Sequence, residues 1–451
     1  MELDSLIRGI LGLILIVGIA FLLSNNKRKI KWKLVAGGIG LQIIFAVLII
    51  KGDSFKSIFA PLGWPKDFFS AVSYFFVLII DFTTKGAEFV FGEPLALQPP
   101  NPRSLGIFFA FQVLPTIIFF ASLMSILYYL GIMQMIVKGM AWVMSKVMGT
   151  SGAESLSVAA DIFVGQTESP LVIRPFLKGL TKSELLTIMI GGMATIAGGV
   201  MISYIQILGS SYAETFNIPL DQAKHMFATH LLSASVMAAP AALVIAKVLF
   251  PETGEPETKG TLHVKIDKNA SNIVEAAAAG AGDGLNLALN VGAMLIAFIA
   301  LIAMVNYLLQ WIGDITFLNE ILQKNYKQPL TFQLIIGLAL RYVAAGIGVP
   351  WQDTLQFGSL LGTKIVLNEF VAYRDMGTLI TTNQLVNEKS IVMATYALCG
   401  FANFGSIAVQ IGGMGPLAPT RKSDIANLGI KAVIGGSLAT LATATLAGIL
   451  F

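Results

Sequence analysis

The chain has 451 residues, 55% of them hydrophobic and only 12% charged, whereas a water-soluble domain carries about 25% charged residues. Most of its surface must therefore face lipid. The net charge of +4, from 30 basic and 26 acidic side chains, is informative through its distribution, and the single cysteine, Cys399, excludes internal disulfides and cysteine metal clusters.

Apolar runs of the length that crosses about 30 Å of hydrocarbon at 1.5 Å per helical residue recur along the chain. They predict spans at 5–24, 33–51, 104–130, 182–209, 224–249, 285–312, 390–413 and 426–450. Runs such as 6–23 and 293–309 are apolar on every side, which favours helices over the alternating strands of a barrel. The expected class is an all-α integral membrane protein with eight transmembrane helices.

Lys27, Arg28, Lys29, Lys31 and Lys33 crowd the first loop. By the positive-inside rule this loop is cytoplasmic and the N-terminus periplasmic, so the basic run is a topology signal and not a nucleic-acid site. The charges follow the apolar stretch, unlike those of a signal peptide. Residues 66–91 are helical in pattern but place Asp81 and Lys85 one turn apart, predicting an interfacial or protein-buried helix. Met133 to Met148 reads as an amphipathic surface helix. Pro251 to Asn269 reads as an exposed linker between two halves, and the Ala, Gly and Asn of 273–290 suit close helix packing.

Two apolar segments are interrupted. Residues 151–180 stop at Gly165-Gln166-Thr167-Glu168-Ser169-Pro170 and resume, and 355–376 do the same around Leu367-Asn368-Glu369-Phe370. Arms too short to span predict re-entrant hairpins, whose irregular tips must face a cavity or other protein. Each hairpin is followed by a polar start, Lys182-Ser183-Glu184 or Glu388-Lys389-Ser390. A helix then breaks, at 195–199 in one case and at 400–406 in the other. Duplicated, Gly-interrupted segments of this kind point to an inverted repeat with a binding site near the bilayer midplane. Pro170 suits the first position of a second half-helix.

A carboxylate in a membrane interior costs about 2.5–3.5 kcal/mol on insertion scales, which marks Glu168 and Glu369 as functional. The structural alternative at Glu369 is an ion pair with Lys364 or Arg374. Gln166 and Asn403 carry a donor and an acceptor side by side, able to pair with a nucleobase edge, or else are packing amides. Glu369 and Ser406 suit ribose hydroxyls, and Phe401 and Val200 an apolar wall for a base. Asp161, with free carbonyls and the break at Thr195 and Ile196, would make an all-oxygen site for a small hard cation. His225, His230 and His263 have no evident catalytic partner, so metal hydrolysis finds no support.

Five blocks together resemble the concentrative nucleoside transporters across nearly the full chain. They are GQTESP at 165–170, TKSEL at 181–185, GAGDGLNLALNV at 280–291, LGTKIVLNEFVAY at 361–373 and CGFANFGSIAVQIGG at 399–413. The resemblance implies a bacterial inner-membrane homotrimer of the elevator type, importing nucleosides such as uridine with sodium. It implies that Gln166, Thr167 and Glu168 address the base, that Glu369, Asn403 and Ser406 address the ribose, and that Val200 and Phe401 line the base. It also implies a sodium site at Asp161, Val164, Thr195 and Ile196. The domains expected are scaffold and interfacial helices (1–150), the first half of the transport domain (151–250), a linker with interfacial and scaffold helices (251–345) and the second half (346–451). The beginning of the chain is expected to lead directly into a scaffold hairpin.

One departure matters. Sodium-dependent members usually have Asn where Asp161 stands, which leaves sodium with an extra negative charge, or a proton on Asp161 or Glu168, as alternatives. More remote readings are an intramembrane enzyme using Glu168 and Glu369 as acid and base, and a passive channel. No catalytic residue is expected.

Overall fold

Without water to satisfy it, a backbone in lipid must hydrogen-bond to itself, and the computed structural model of the chain is helical through its long apolar stretches apart from a few breaks. It describes residues 3–52, 56, 63–97, 101–106, 108–259, 270–326, 328–385 and 387–451. His263 and part of the expected linker lie outside these. Among the described residues there is no strand.

The first repeat follows α1 (Leu3–Leu22), α2 (Trp32–Ile50) and α3 (Trp64–Phe91). It comprises α4 (Leu114–Tyr129), α5 (Ile132–Met148), the hairpin pair α6 (Gly152–Asp161) and α7 (Ser169–Val172), the broken pair α8 (Lys182–Ala194) and α9 (Gly198–Phe216), and α10 (Leu220–Leu249). The second comprises α11 (Ile273–Ile315), α12 (Phe332–Gly346), the hairpin pair α13 (Thr354–Val366) and α14 (Glu369–Thr381), the broken pair α15 (Glu388–Leu398) and α16 (Phe404–Met414), and α17 (Lys422–Leu450).

Among the described residues eight helical segments are long and apolar enough to cross a membrane; seven overlap predicted spans, and the eighth is α3, in place of 390–413. The 28-residue α3 qualifies. Within it, Lys85 pairs with Glu88 at 3.2 Å. The predicted span at 390–413 has the predicted break, which leaves two 11-residue helices, each too short to count as a crossing. Residues 273–290 are continuous with the predicted span at 285–312 in one 43-residue helix, about 65 Å long at 1.5 Å per residue. The 15-residue α12 was not anticipated. It precedes hairpin 2 as α5 precedes hairpin 1, which makes the two counterparts.

Burial separates an inner from an outer set. The apolar windows of 182–216, 220–249 and 419–450 are 94%, 100% and 89% buried, against 11–33% for the other five. The outer set packs through small residues. Ala276, Gly280, Gly284 and Ala288 form the buried line of α11. A β-carbon on Gly280 or Gly284 would lie 2.7 Å from α4 backbone, and Ser122 Oγ of α4 donates to Ala277 O at 2.9 Å. Hairpin 2 meets α12 the same way, because a β-carbon on Gly358 would lie 2.8 Å from Gly337 O.

At the start of hairpin 1, Ser151 caps α6 in a reciprocal box with Glu154. Lys247 of α10 reaches Glu154 at 2.7 Å and Glu252 at 3.5 Å, with the first pair almost wholly buried. Breaking a buried pair strands an uncompensated charge, so Lys247→Met should cost about 3–5 kcal/mol. Lys182→Met, which breaks an exposed pair with Asp424, should cost little. Thermal melting in detergent checks this, and equal shifts for the two variants would contradict it.

Candidate functional site

Hairpin 1 turns at Gly165, whose φ of +85° favours glycine. A β-carbon there would lie 3.0 Å from that of Ala197, in the break between α8 and α9, and 3.7 Å from the Phe401 ring. Gly198 N, the first amide of α9, donates to Phe163 O at 3.0 Å. The tip is thus seated on the first break. The second break is seated on the first as well. Gly400, at φ +151°, is so close to the end of α8 that a β-carbon would lie 2.7 Å from Met193 O and 2.9 Å from Ala194 O.

This crossing unites residues far apart in sequence. Gln166 Nε2 donates to Ser406 Oγ at 3.1 Å, across the two repeats. Gln410 Nε2 donates to Gln166 Oε1 at 3.1 Å and to Met189 O at 2.9 Å. Asn403 caps α16, its Oδ1 accepting from Ser406 N at 2.8 Å, while its Nδ2 donates to Glu369 Oε2 at 3.4 Å. Glu369 opens α14 behind its cap Asn368, at the positive end of a helix, where a carboxylate is stabilised. Tyr204 Oη of α9 donates to Glu369 Oε1 at 2.9 Å.

Gln166, Glu369, Asn403 and Ser406 are buried in this network. Val200 is buried in the first turn of α9, and Phe401, partly buried, lies in the second break. Thr167 and Glu168 remain exposed at the tip.

The ion-pair alternative for Glu369 is not what the structure contains. Lys364 Nζ donates to Ala397 O at 2.8 Å and Thr440 Oγ1 at 3.0 Å, and Arg374 pairs with Asp375 at 3.9 Å. Both Glu369 oxygens are taken by neutral donors. Tyr204 and Gln410 were missed in the sequence. A buried tyrosine hydroxyl needs a partner, but one Tyr of ten gives no sign of its burial. Gln410 did leave a signal, as an amide inside an apolar helix.

The expected cation residues meet where α6 and α8 end. Asp161 is the last residue of α6, and Ser169 Oγ donates to its Oδ1 at 2.6 Å. Its Oδ2 is buried with no hydrogen-bond partner and faces α8, where a β-carbon on Gly191 would lie 3.0 Å away. Thr195, extended at the end of α8, donates through Oγ1 to Gly191 O at 2.9 Å. Val164, Thr195 and Ile196 are all buried. Two helix C-termini, a carboxyl oxygen without a partner and bare glycine backbone suit a hard cation. The described imidazoles lie elsewhere, His230 beside Tyr396 Oη at 3.3 Å and His225 beside Ser70 Oγ at 3.5 Å.

Residues 11–94, 110–211 and 230–448 match, in that order, the families described as Na+ dependent nucleoside transporter N-terminus, nucleoside recognition (Gate), and Na+ dependent nucleoside transporter C-terminus. An uncharacterized transporter, YutK of Bacillus subtilis, is 43% identical over 98% of each chain. Sodium/nucleoside cotransporter 1 of Mus musculus is 38% identical over 98% of this chain, which spans 63% of that longer protein. The structure of CNTnw in an inward-facing substrate-bound state superposes with a TM-score of 0.83 at 38% identity, covering 98% of each chain. A CNTnw variant in an outward-facing state gives 0.83 at 38% identity, over 100% of this chain and 98% of that one. The chain is therefore a membrane transporter and not an enzyme, and it belongs to the Na+-dependent concentrative nucleoside transporter family.

Proposed function

We propose that the protein imports nucleosides such as uridine by sodium-driven alternating access, with the hairpins and broken helices moving as an elevator against the outer helices. A bacterial inner membrane, a periplasmic N-terminus and a homotrimer belong to the same reading. The observation that carries it is the buried network from Gln166 through Ser406 and Asn403 to Glu369. Its members are amides, a hydroxyl and a carboxylate, which match a base edge on one side and ribose hydroxyls on the other. Gln166, Thr167 and Glu168 address the base, and Glu369, Asn403 and Ser406 the ribose. Val200 and Phe401 supply apolar walls.

Sodium enters at Asp161, Val164, Thr195 and Ile196, joining the end of α6 to the end of α8 and so fixing the tip that carries Gln166. A proton on Asp161 is the second reading, favoured by the partnerless Oδ2.

Uptake of radiolabelled uridine into proteoliposomes decides between them. A sodium gradient alone should drive accumulation, Asp161→Asn should retain sodium dependence, and Glu369→Gln should lower kcat/KM by about tenfold or more, the order expected for a charged hydrogen-bonding partner. Accumulation driven only by a proton gradient and lost in Asp161→Asn would assign the proton to Asp161. Accumulation under neither gradient would contradict nucleoside symport.

Gln410→Leu and Tyr204→Phe test the two residues that hold the network without being assigned to substrate. Each should raise KM for uridine several-fold, about 1 kcal/mol for a lost neutral hydrogen bond. Unchanged kinetics in both would remove them from the site.

A further inference from the structure

Each repeat places one charged residue in the last turn of its first hairpin helix, facing the end of the first half of its broken helix, and the two charges are opposite. In the first repeat this residue is Asp161, against Gly191 in the last turn of α8. In the second it is Lys364, in the last turn of α13. Its Nζ donates to Ala397 O in the last turn of α15 and to Thr440 Oγ1 of α17. Lys364 is 1% exposed, and among the described residues no carboxylate forms an ion pair with it. The nucleoside network does not use it.

A buried ammonium with no carboxylate in direct contact is expensive and must be held by oxygen dipoles. Here they are supplied by the negative ends of α13 and α15 and by a threonine hydroxyl. The setting repeats that of Asp161, where two helix ends also converge. The chemistry differs in one respect. The first repeat presents an oxygen acceptor with no partner, and the second fills its acceptors with a cation already attached to the chain.

We infer that Lys364 is a tethered cation, its ammonium taking in the second repeat the place that the coupling ion takes in the first. It rests on the reading of Asp161 as the ion site. Hairpin 2, with Glu369 at its tip, is then held to the broken helix α15–α16 at all times. Only hairpin 1 waits for an ion. The ribose side of the site is preorganised and the base side is conditional on sodium.

The test is uridine binding to the detergent-solubilised protein across a sodium series, for wild type, Lys364→Ala and Lys364→Met, with and without propylammonium. Lys364→Ala should bind uridine about tenfold more weakly or worse at fixed sodium, because its two buried acceptors lose their donor. Its sodium dependence should steepen by one further ion, and propylammonium should restore binding. Lys364→Met, whose side chain fills the space, should be equally weak and should not respond to propylammonium. Wild-type affinity and sodium slope in both variants would overturn the inference, as would a weakened Lys364→Ala that neither cation improves. If the variants do not fold, radioactive sodium counted per bound uridine on the wild type decides, one ion supporting the inference and two overturning it. A wild type whose binding ignores sodium would instead overturn the ion reading of Asp161, and the propylammonium arm would still decide Lys364.

Discussion

A helix broken inside a membrane leaves backbone amides and carbonyls that water cannot satisfy, and the rest of this architecture follows from how those groups are partnered. The breaks at 195–197 and 399–403 lie against each other, with Gly400 on the carbonyls of Met193 and Ala194. Hairpin 1 closes over the first break through Phe163 O and Gly198 N. Hairpin 2 closes over the second through Lys364 and through Tyr373 Oη, which donates to Thr395 O at 2.8 Å. Irregular backbone is tolerated because each irregular piece meets another.

The sign of the exposed dipoles then sorts the chemistry. Helix C-termini collect at Asp161 and Lys364, where cations belong, and helix N-termini collect at Glu369 and Asn403, where electronegative groups belong. Gln166 bridges the two repeats, donating to Ser406 and accepting from Gln410. On the proposed reading, an ion at Asp161 that fixed hairpin 1 would also fix Gln166 against partners from the second repeat. The outer helices contribute packing surfaces of small residues, such as the line from Ala276 to Ala288, and no member of this hydrogen-bonded network.

Much of this was legible in the sequence for identifiable reasons. Carboxylates and amides within apolar runs stand out because burying them is costly, which marked Glu369, Gln166 and Asn403, all buried in the network, and also Glu168, which stands exposed at the tip. Gly-rich interruptions marked both breaks. Spans were less legible where length misled. The 15-residue α12 is too short to register as a crossing, and 390–413 reads as one crossing by apolar length although its legible break leaves only 11 helical residues on each side. Asp81 and Lys85 made α3 look too polar, although Lys85 is satisfied locally by Glu88. Partner choice was not legible at all. Lys364 lies five positions from Glu369 yet turns to Ala397, and Tyr204 reaches Glu369 across 165 residues.

On the proposed reading, ion and nucleoside are coupled through the tip of hairpin 1, and such coupling must be reciprocal at equilibrium. The most direct measurement is a pair of titrations on the purified protein, uridine at low and at saturating sodium, and sodium with and without saturating uridine. Each ligand should tighten the other by the same factor, and Asp161→Ala should abolish that factor while leaving a residual uridine affinity. Uridine affinity independent of sodium, with the two ligands binding side by side without mutual effect, would contradict it.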